Sequence, residues 1–166
     1  MKNLQKIHWA YFTAGLLGVF FLDFITKWLA VKGVIGESVI VRGLFYMTHF
    51  QKNNGIAYGI PLPLWIQVIG SIIILFLLVR FGFDCITDNR KPSVFRIVLL
   101  GIIVGSGLGN LVDRIVNGYV VDFIVLRPFP VFNVADVGIT VGIILLFGTI
   151  VLSSEKCETK NKKPKD

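Results

Sequence analysis

Ten carboxylates occur in the chain, and most have a ready local explanation. Asp84, Asp88, Glu155, Glu158 and Asp166 lie in a polar connection at 80–96 or in the C-terminal tail, and Glu37 has polar flanks. Asp23 is followed at i+4 by Lys27, the spacing of a helical ion pair, and a structural role is the preferred reading of that pair. Asp113 precedes Arg114 and pairs either with it or with a neighbouring helix end. Two acids remain. Asp122 sits in Val120-Val121-Asp122-Phe123-Ile124 and Asp136 in Val134-Ala135-Asp136-Val137, each with apolar flanks and no adjacent cation. Desolvation raises a carboxyl pKa, and a second carboxyl nearby raises one of the two further. Two such acids sharing a proton can activate water against an amide carbonyl.

Each acid also has a plainer reading. Asn133 three residues before Asp136 looks like a helix start, with Asn133 as N-cap and Asp136 in the favourable first turn. Asp122 alone reads as a loop acid bonded to backbone amides, and Asn110-x-x-Asp113 as a helix end meeting water. Spacing leaves these alternatives open.

The elements that position these residues belong to a membrane. In 166 residues, 54% are hydrophobic and 16% charged, with a mean hydropathy of +0.75. Soluble domains carry about 25% charged residues. The composition therefore excludes a water-soluble globule, a disordered chain and a disulfide scaffold. Four segments have the length and apolarity of a span: 9–31, 62–81, 94–112 and 135–152. Helix is the default, because an open sheet leaves its backbone unsatisfied in lipid. The first span is long and lacks an Ala-x-Ala cleavage site, so it reads as an uncleaved anchor. Gly101, Gly105 and Gly109, with Gly138 and Gly142, form small-residue stripes that allow close helix packing. The expected fold is an all-α, single-domain membrane protein of four transmembrane helices with a small extracytoplasmic sheet element. In the outer loop 32–61, Val39-Ile40-Val41 and Phe45-Tyr46-Met47-Thr48 read as strands broken by Arg42-Gly43. The second outer loop is 113–134, and a basic tail follows at 153–166.

The net charge of +7 orients the spans. With the N-terminus, the 80–96 connection and the tail in the cytoplasm, 11 of the 17 Lys and Arg residues are cytoplasmic. The excess thus needs no nucleic acid; lysines beside a span attract anionic lipid. Cys85 and Cys157 fall on the reducing side and read as incidental. Asp23, Lys27, Asn53, Asn54, Asn110, Asp113, Arg114, Asp122, Asn133 and Asp136 all fall near the outer boundary. Intramembrane ionisable groups are costly, so this crowding at one level marks a site at the interface.

The chain resembles bacterial lipoprotein signal peptidases (signal peptidase II) over essentially its whole length. The resemblance rests on Leu22-Asp23-Phe24-Ile25-Thr26-Lys27, Asn53-Asn54-Gly55-Ile56-Ala57-Tyr58-Gly59, Gly109-Asn110-Leu111-Val112-Asp113-Arg114 continuing to Gly118-Tyr119-Val120-Val121-Asp122-Phe123-Ile124, and Phe132-Asn133-Val134-Ala135-Asp136. It implies an aspartic endopeptidase of the bacterial plasma membrane with its site near the extracytoplasmic face, in keeping with the charge bias that puts both termini in the cytoplasm. The implied catalytic pair is Asp122 and Asp136, supported by Asp23, Lys27, Asn53, Gly55, Asn110, Asp113, Arg114, Asn133 and Ala135. The implied substrate is a diacylglyceryl-modified prolipoprotein, cut just before the lipidated cysteine. No metal or cofactor is implied, inhibition by globomycin is, and nothing requires more than a monomer among membrane lipids. Phe24 stands where the family usually has Gln, and Ile56-Ala57-Tyr58 where it has Ala-Ala-Phe.

Other chemistries fit less well. His8 and His49 form neither a His-Glu-x-x-His zinc motif nor an intramembrane Ser–His pair. Ser38 is the clearest outer serine for a Ser–Lys protease but has no supporting motif, and the presenilin-type Gly-x-Gly-Asp is missing. A transporter expects midplane sites and repeats, which the chain does not display. A packing protein whose acids only cap helices remains a third reading.

Overall fold

The computed structural model describes residues 2–35, 38–41, 44–56, 60–87 and 93–161. Glu37, Arg42-Gly43, Ala57, Tyr58, Arg90, Lys91 and the tail beyond 161 lie outside the described residues, as do the side chains of Ser38, His49, Cys85 and Cys157.

Among the described residues the chain forms four long helices and three strands. The helices are α1 (Lys2–Val31), α2 (Leu64–Thr87), α3 (Val94–Asn117) and α4 (Val134–Asn161). The strands are β1 (Ser38–Val41) and β2 (Phe45–Asn53) between α1 and α2, and β3 (Val120–Leu126) between α3 and α4. They form one antiparallel sheet in the order β1-β2-β3. Because β2 pairs with β3, the two strand-bearing connections, α1–α2 and α3–α4, lie at the same end of the bundle. Three described helical stretches are long and apolar enough to cross a membrane: Lys6–Val31, Leu64–Gly82 and Val94–Asn117. The described apolar part of α4, Val134–Thr149, is shorter.

The bundle is organised around α3. Buried Ile97, Leu100, Val104 and Leu111 of α3 meet Phe12 of α1 and Leu75 of α2. Close approach is set by glycine. A Cβ at Gly101 would strike the Phe12 carbonyl oxygen, and one at Gly105 the Leu16 carbonyl oxygen. Gly142 faces Ile103, and Gly138 faces Ser106, whose hydroxyl is buried. The surface is apolar instead: Phe21, Ile72, Ile74, Phe76, Ile144 and Phe147 are all exposed. That inversion fits a solvent of lipid chains, in which packing and not hydrophobicity joins the helices.

Element boundaries depart from the sequence expectation at the outer end. The third helix runs past Val112 to Asn117, where Gly118 adopts a left-handed φ of 79° and donates its N–H to the Arg114 carbonyl. The segment after it is a strand, not a loop. Val120–Val125 are buried without alternation, the pattern of a strand covered on both faces. The β1 and β2 expectation fits, although β2 continues beyond Thr48 to Asn53.

Replacing Gly105 by Ala forces a Cβ into the α1 backbone, whereas Gly18 has nothing within 4 Å of its Cβ position. Gly105→Ala is expected to cost about 1–3 kcal/mol, the usual penalty of overpacking. Gly18→Ala is expected to leave stability unchanged or slightly raised. Thermal unfolding of the detergent-solubilised variants checks the contrast.

Candidate active site

Two hairpin-like pairings bring the isolated acids to one place. In the β2–β3 register Gln51 lies opposite Asp122, so Asn53, two residues on, is the diagonal neighbour on the same face. The Asn53 side-chain amide donates to Asp122 Oδ2 at 2.9 Å, and Asn53 Oδ1 accepts the Gly55 N–H at 3.0 Å. After β3 the chain turns back, and Phe132 exchanges backbone hydrogen bonds with Ile124 at 2.9 and 2.8 Å. That return sets Asn133, the next residue, beside Asp122. Asn133 Nδ2 donates to Asp122 Oδ1 at 2.7 Å.

Asn133 and Asp136 also make the helix-start contacts expected of them. Asn133 Oδ1 accepts the Asp136 N–H at 3.0 Å, and Asp136 Oδ2 accepts the Asn133 N–H at 3.2 Å. This is a reciprocal capping box with Asp in the acidic position. The second Asp136 oxygen is turned away from the cap and accepts from Asn110 Nδ2 at 2.9 Å. The capping role and the site role therefore fall on one residue. Asn133 is fully buried and links the two acids, Asp122 through its side chain and Asp136 through its backbone.

Beneath this pair lies a buried ion cluster. Lys27 Nζ meets Asp23 Oδ2 at 2.7 Å, Asp113 Oδ2 at 2.9 Å and Asn110 Oδ1 at 2.9 Å. Asp113 thus pairs with Lys27 rather than with its sequence neighbour Arg114. Asp113 also accepts from the Val121 N–H at 3.3 Å and from Asn117 Nδ2 at 3.2 Å. Asp23, 1% exposed, uses its other oxygen to accept the Ala135 N–H at 2.8 Å. A side chain of α1 thereby satisfies a free first-turn amide of α4. Gly109 makes room for it, since a Cβ there would lie 2.6 Å from Asp23 Oδ2.

Arg114 is committed elsewhere. Its Nε donates to Gln67 Oε1 at 2.9 Å, Nη1 to the Asn110 carbonyl at 3.2 Å and Nη2 to the Gly55 carbonyl at 3.3 Å. All nine supporting positions expected from the sequence thus touch one polar network. Gln67 was not foreseen. Its signal was available: one amide inside the apolar run Leu64-Trp65-Ile66-Gln67-Val68. Phe24, one of the family departures, is exposed on α1 and takes no part in this network.

The surroundings of Asp122 favour its protonated form. Burial pushes its carboxyl up to about 6; the Asn53 donor opposes this, the neighbouring Asp136 charge adds to it, and Asn133 and Lys27 oppose it. A cleft of about 370 Å³ opens beside it, lined by Asn53, Asn54, Gly55, Pro61, Asp122 and Pro130 among others.

The chain matches the family model described as "Signal peptidase (SPase) II" over residues 16–152. The chain belongs to the signal peptidase II family. The lipoprotein signal peptidase of Syntrophomonas wolfei is 35% identical over 89% of this chain and 97% of its own. That of Bacillus subtilis is 36% identical over 81% of this chain and 88% of its own, and that of Staphylococcus aureus 35% over 96% and 99%. A solved structure described as "Bacterial membrane enzyme structure by the in meso method at 2.3 A resolution" superposes with a TM-score of 0.70 at 29% identity, covering 92% of this chain and 91% of that one. Membership of the signal peptidase II family makes the chain a peptidase that removes signal peptides from lipoproteins, and its apolar helices make it a membrane protein.

The raised Asp122 pKa carries a stability signature. The folded state holds this proton up to about pH 6 and the unfolded chain releases it near 3.8, so stability falls as pH rises between those values. That difference corresponds to on the order of 3 kcal/mol. Asn does not titrate. The melting temperature of Asp122→Asn is therefore expected to gain on wild type as pH goes from 4 to 7; a gap independent of pH contradicts the burial cost.

Proposed function

We propose that the chain is an aspartic endopeptidase that cuts diacylglyceryl-modified prolipoproteins just before the lipidated cysteine, with Asp122 and Asp136 as the catalytic pair. The observation that carries this reading is the Asn133 bridge, which holds both carboxylates from one residue. The pair shares one proton. The ionised member takes a proton from a water whose oxygen attacks the scissile carbonyl. The protonated member donates to the carbonyl oxygen as the tetrahedral intermediate forms. Collapse of the intermediate breaks the C–N bond, and the proton first taken from water passes to the leaving amine. Both carboxylates are held by amide donors that supply no proton of their own, so acid–base traffic stays within the pair.

The same reading orients the protein. It is a single integral membrane domain of four spans, with α4 as the fourth. Residues 135–152 are nearly all apolar and, at 1.5 Å per residue, cover about 27 Å of a core about 30 Å thick. Both termini are cytoplasmic, by the bias of Lys and Arg. The site then lies near the extracytoplasmic face of the bacterial plasma membrane, where water reaches the backbone of a lipid-anchored substrate. The working unit is a monomer that needs no metal or cofactor and is blocked by globomycin. The described part of segment 32–61, with β2 beside Asp122, supports a covering role for that loop over bound substrate.

Asp122→Asn and Asp136→Asn, made singly in purified folded protein, are each expected to lower cleavage of a lipidated prolipoprotein by a thousandfold or more, as losses of an acting group commonly do. Wild-type turnover by either variant contradicts the proposal. It would leave the acids as helix and strand caps.

A further inference from the structure

Gln67 is buried, at 5% exposure, in the first turns of a helix otherwise faced with apolar side chains. Its amide makes three hydrogen bonds. Nε2 donates to the Asn54 carbonyl at 2.9 Å and to the Leu62 carbonyl at 2.7 Å, while Oε1 accepts from Arg114 Nε at 2.9 Å. The orientation of the amide is unambiguous, because carbonyls only accept and a guanidinium only donates. One side chain therefore ties together the two ends of the 54–62 connection and the arginine that holds Gly55.

The tied segment bears on Asp122. Asn54 lies between Asn53, which donates to Asp122 Oδ2, and Gly55, whose N–H fixes the Asn53 side chain and whose carbonyl binds Arg114. Gln67 grips the backbone between these two contacts. A second tie on the connection, the Ile56 N–H to the Ile60 carbonyl at 3.0 Å, is local and does not reach a helix. Only Gln67 and Arg114, among the described contacts, fasten it to the bundle.

We infer that Gln67 is a positioning residue of the active site, clamping the 54–62 connection so that Asn53 stays aimed at Asp122. The inference rests on the reading of Asp122 and Asp136 as the catalytic pair. It separates Gln67 from an anchor that only seats α2. An anchor affects folding; a clamp sets the ionisation of Asp122, because the Asn53 donor lowers the carboxyl that burial raises. Releasing Asn53 moves Asp122 upward.

The test is a double-mutant cycle between Gln67→Leu and Asn53→Leu in purified protein, with kcat and KM for a lipidated prolipoprotein measured across pH. Gln67→Leu is expected to lower kcat/KM tenfold to a hundredfold, the order seen for displaced catalytic groups. The ionisation assigned to Asp122 should move to higher pH, as in Asn53→Leu, and the double variant should lose little beyond Asn53→Leu alone. Where Gln67→Leu does not fold, Gln67→Glu replaces it: the carboxylate keeps an acceptor for Arg114 but loses both donors, and the same non-additivity is expected. Fully additive losses, or a Gln67 variant with the wild-type pH profile, overturn the clamp even if Asp122→Asn is inactive. Full activity of Asp122→Asn overturns the catalytic reading and the clamp with it.

Discussion

The Lys27 ammonium has three protons to donate and three acceptors to receive them, one from its own helix and two from α3. Removing such a charge from water costs several kcal/mol, and a partial set of partners would not offset it. The set is complete, and its consequences spread outward through fixed donor–acceptor directions. Because a lysine only donates, the Asn110 oxygen must face it, which turns the Asn110 NH2 group toward Asp136. Because Asp23 keeps one oxygen for Lys27, the other is left for the Ala135 amide at the start of α4. Helix α4 is thus held at its first turn by a group on α1, and Asp136 stands one residue past that hold.

The hydrogen bonds described for the two nearby cations go to groups other than Asp122 and Asp136. Lys27 is spent on Asp23, Asp113 and Asn110, and Arg114 on Gln67, Asn110 and Gly55. Among the described hydrogen bonds, those reaching Asp122 and Asp136 come from asparagine side chains and one backbone amide. Neutral donors orient a carboxylate without locking it into its charged form, as a bidentate arginine would. A carboxyl that must exchange a proton needs that arrangement. The cost falls on stability, since Asp122 is buried at 2% exposure and forms no salt bridge among the described residues.

Much of this was legible in the chain. The i+4 spacing of Asp23 and Lys27 gave their ion pair, the glycine stripes gave close helix packing without naming the partner helix, and Asn133 with Asp136 gave the start of α4. What spacing could not give was partnership across the bundle. The sequence left Asp113 open to Arg114 or to a neighbouring helix end, and it is Lys27, near the end of α1, that it reaches; Asp23 caps a helix 112 residues away in sequence. The segment holding Asp122 read as loop because Pro128 and Pro130 punctuate its far end; the run of β-branched residues from Val120 was the stronger signal. Gln67 escaped notice because one amide in an apolar run leaves no periodic trace. Only the fold brings it to Asn54 and Arg114.

The central claim is that Asp122 and Asp136 act as one pair, with the charge of Asp136 felt at Asp122. Carbon-13 labelling of the aspartate carboxyls allows the signal of Asp122 to be followed with pH in wild type and in Asp136→Asn. In wild type Asp122 is expected to titrate near pH 6, raised by burial and by the neighbouring charge. In Asp136→Asn that charge is gone, and the midpoint should move down. An Asp122 midpoint that does not respond to the loss of Asp136 would contradict the coupled pair.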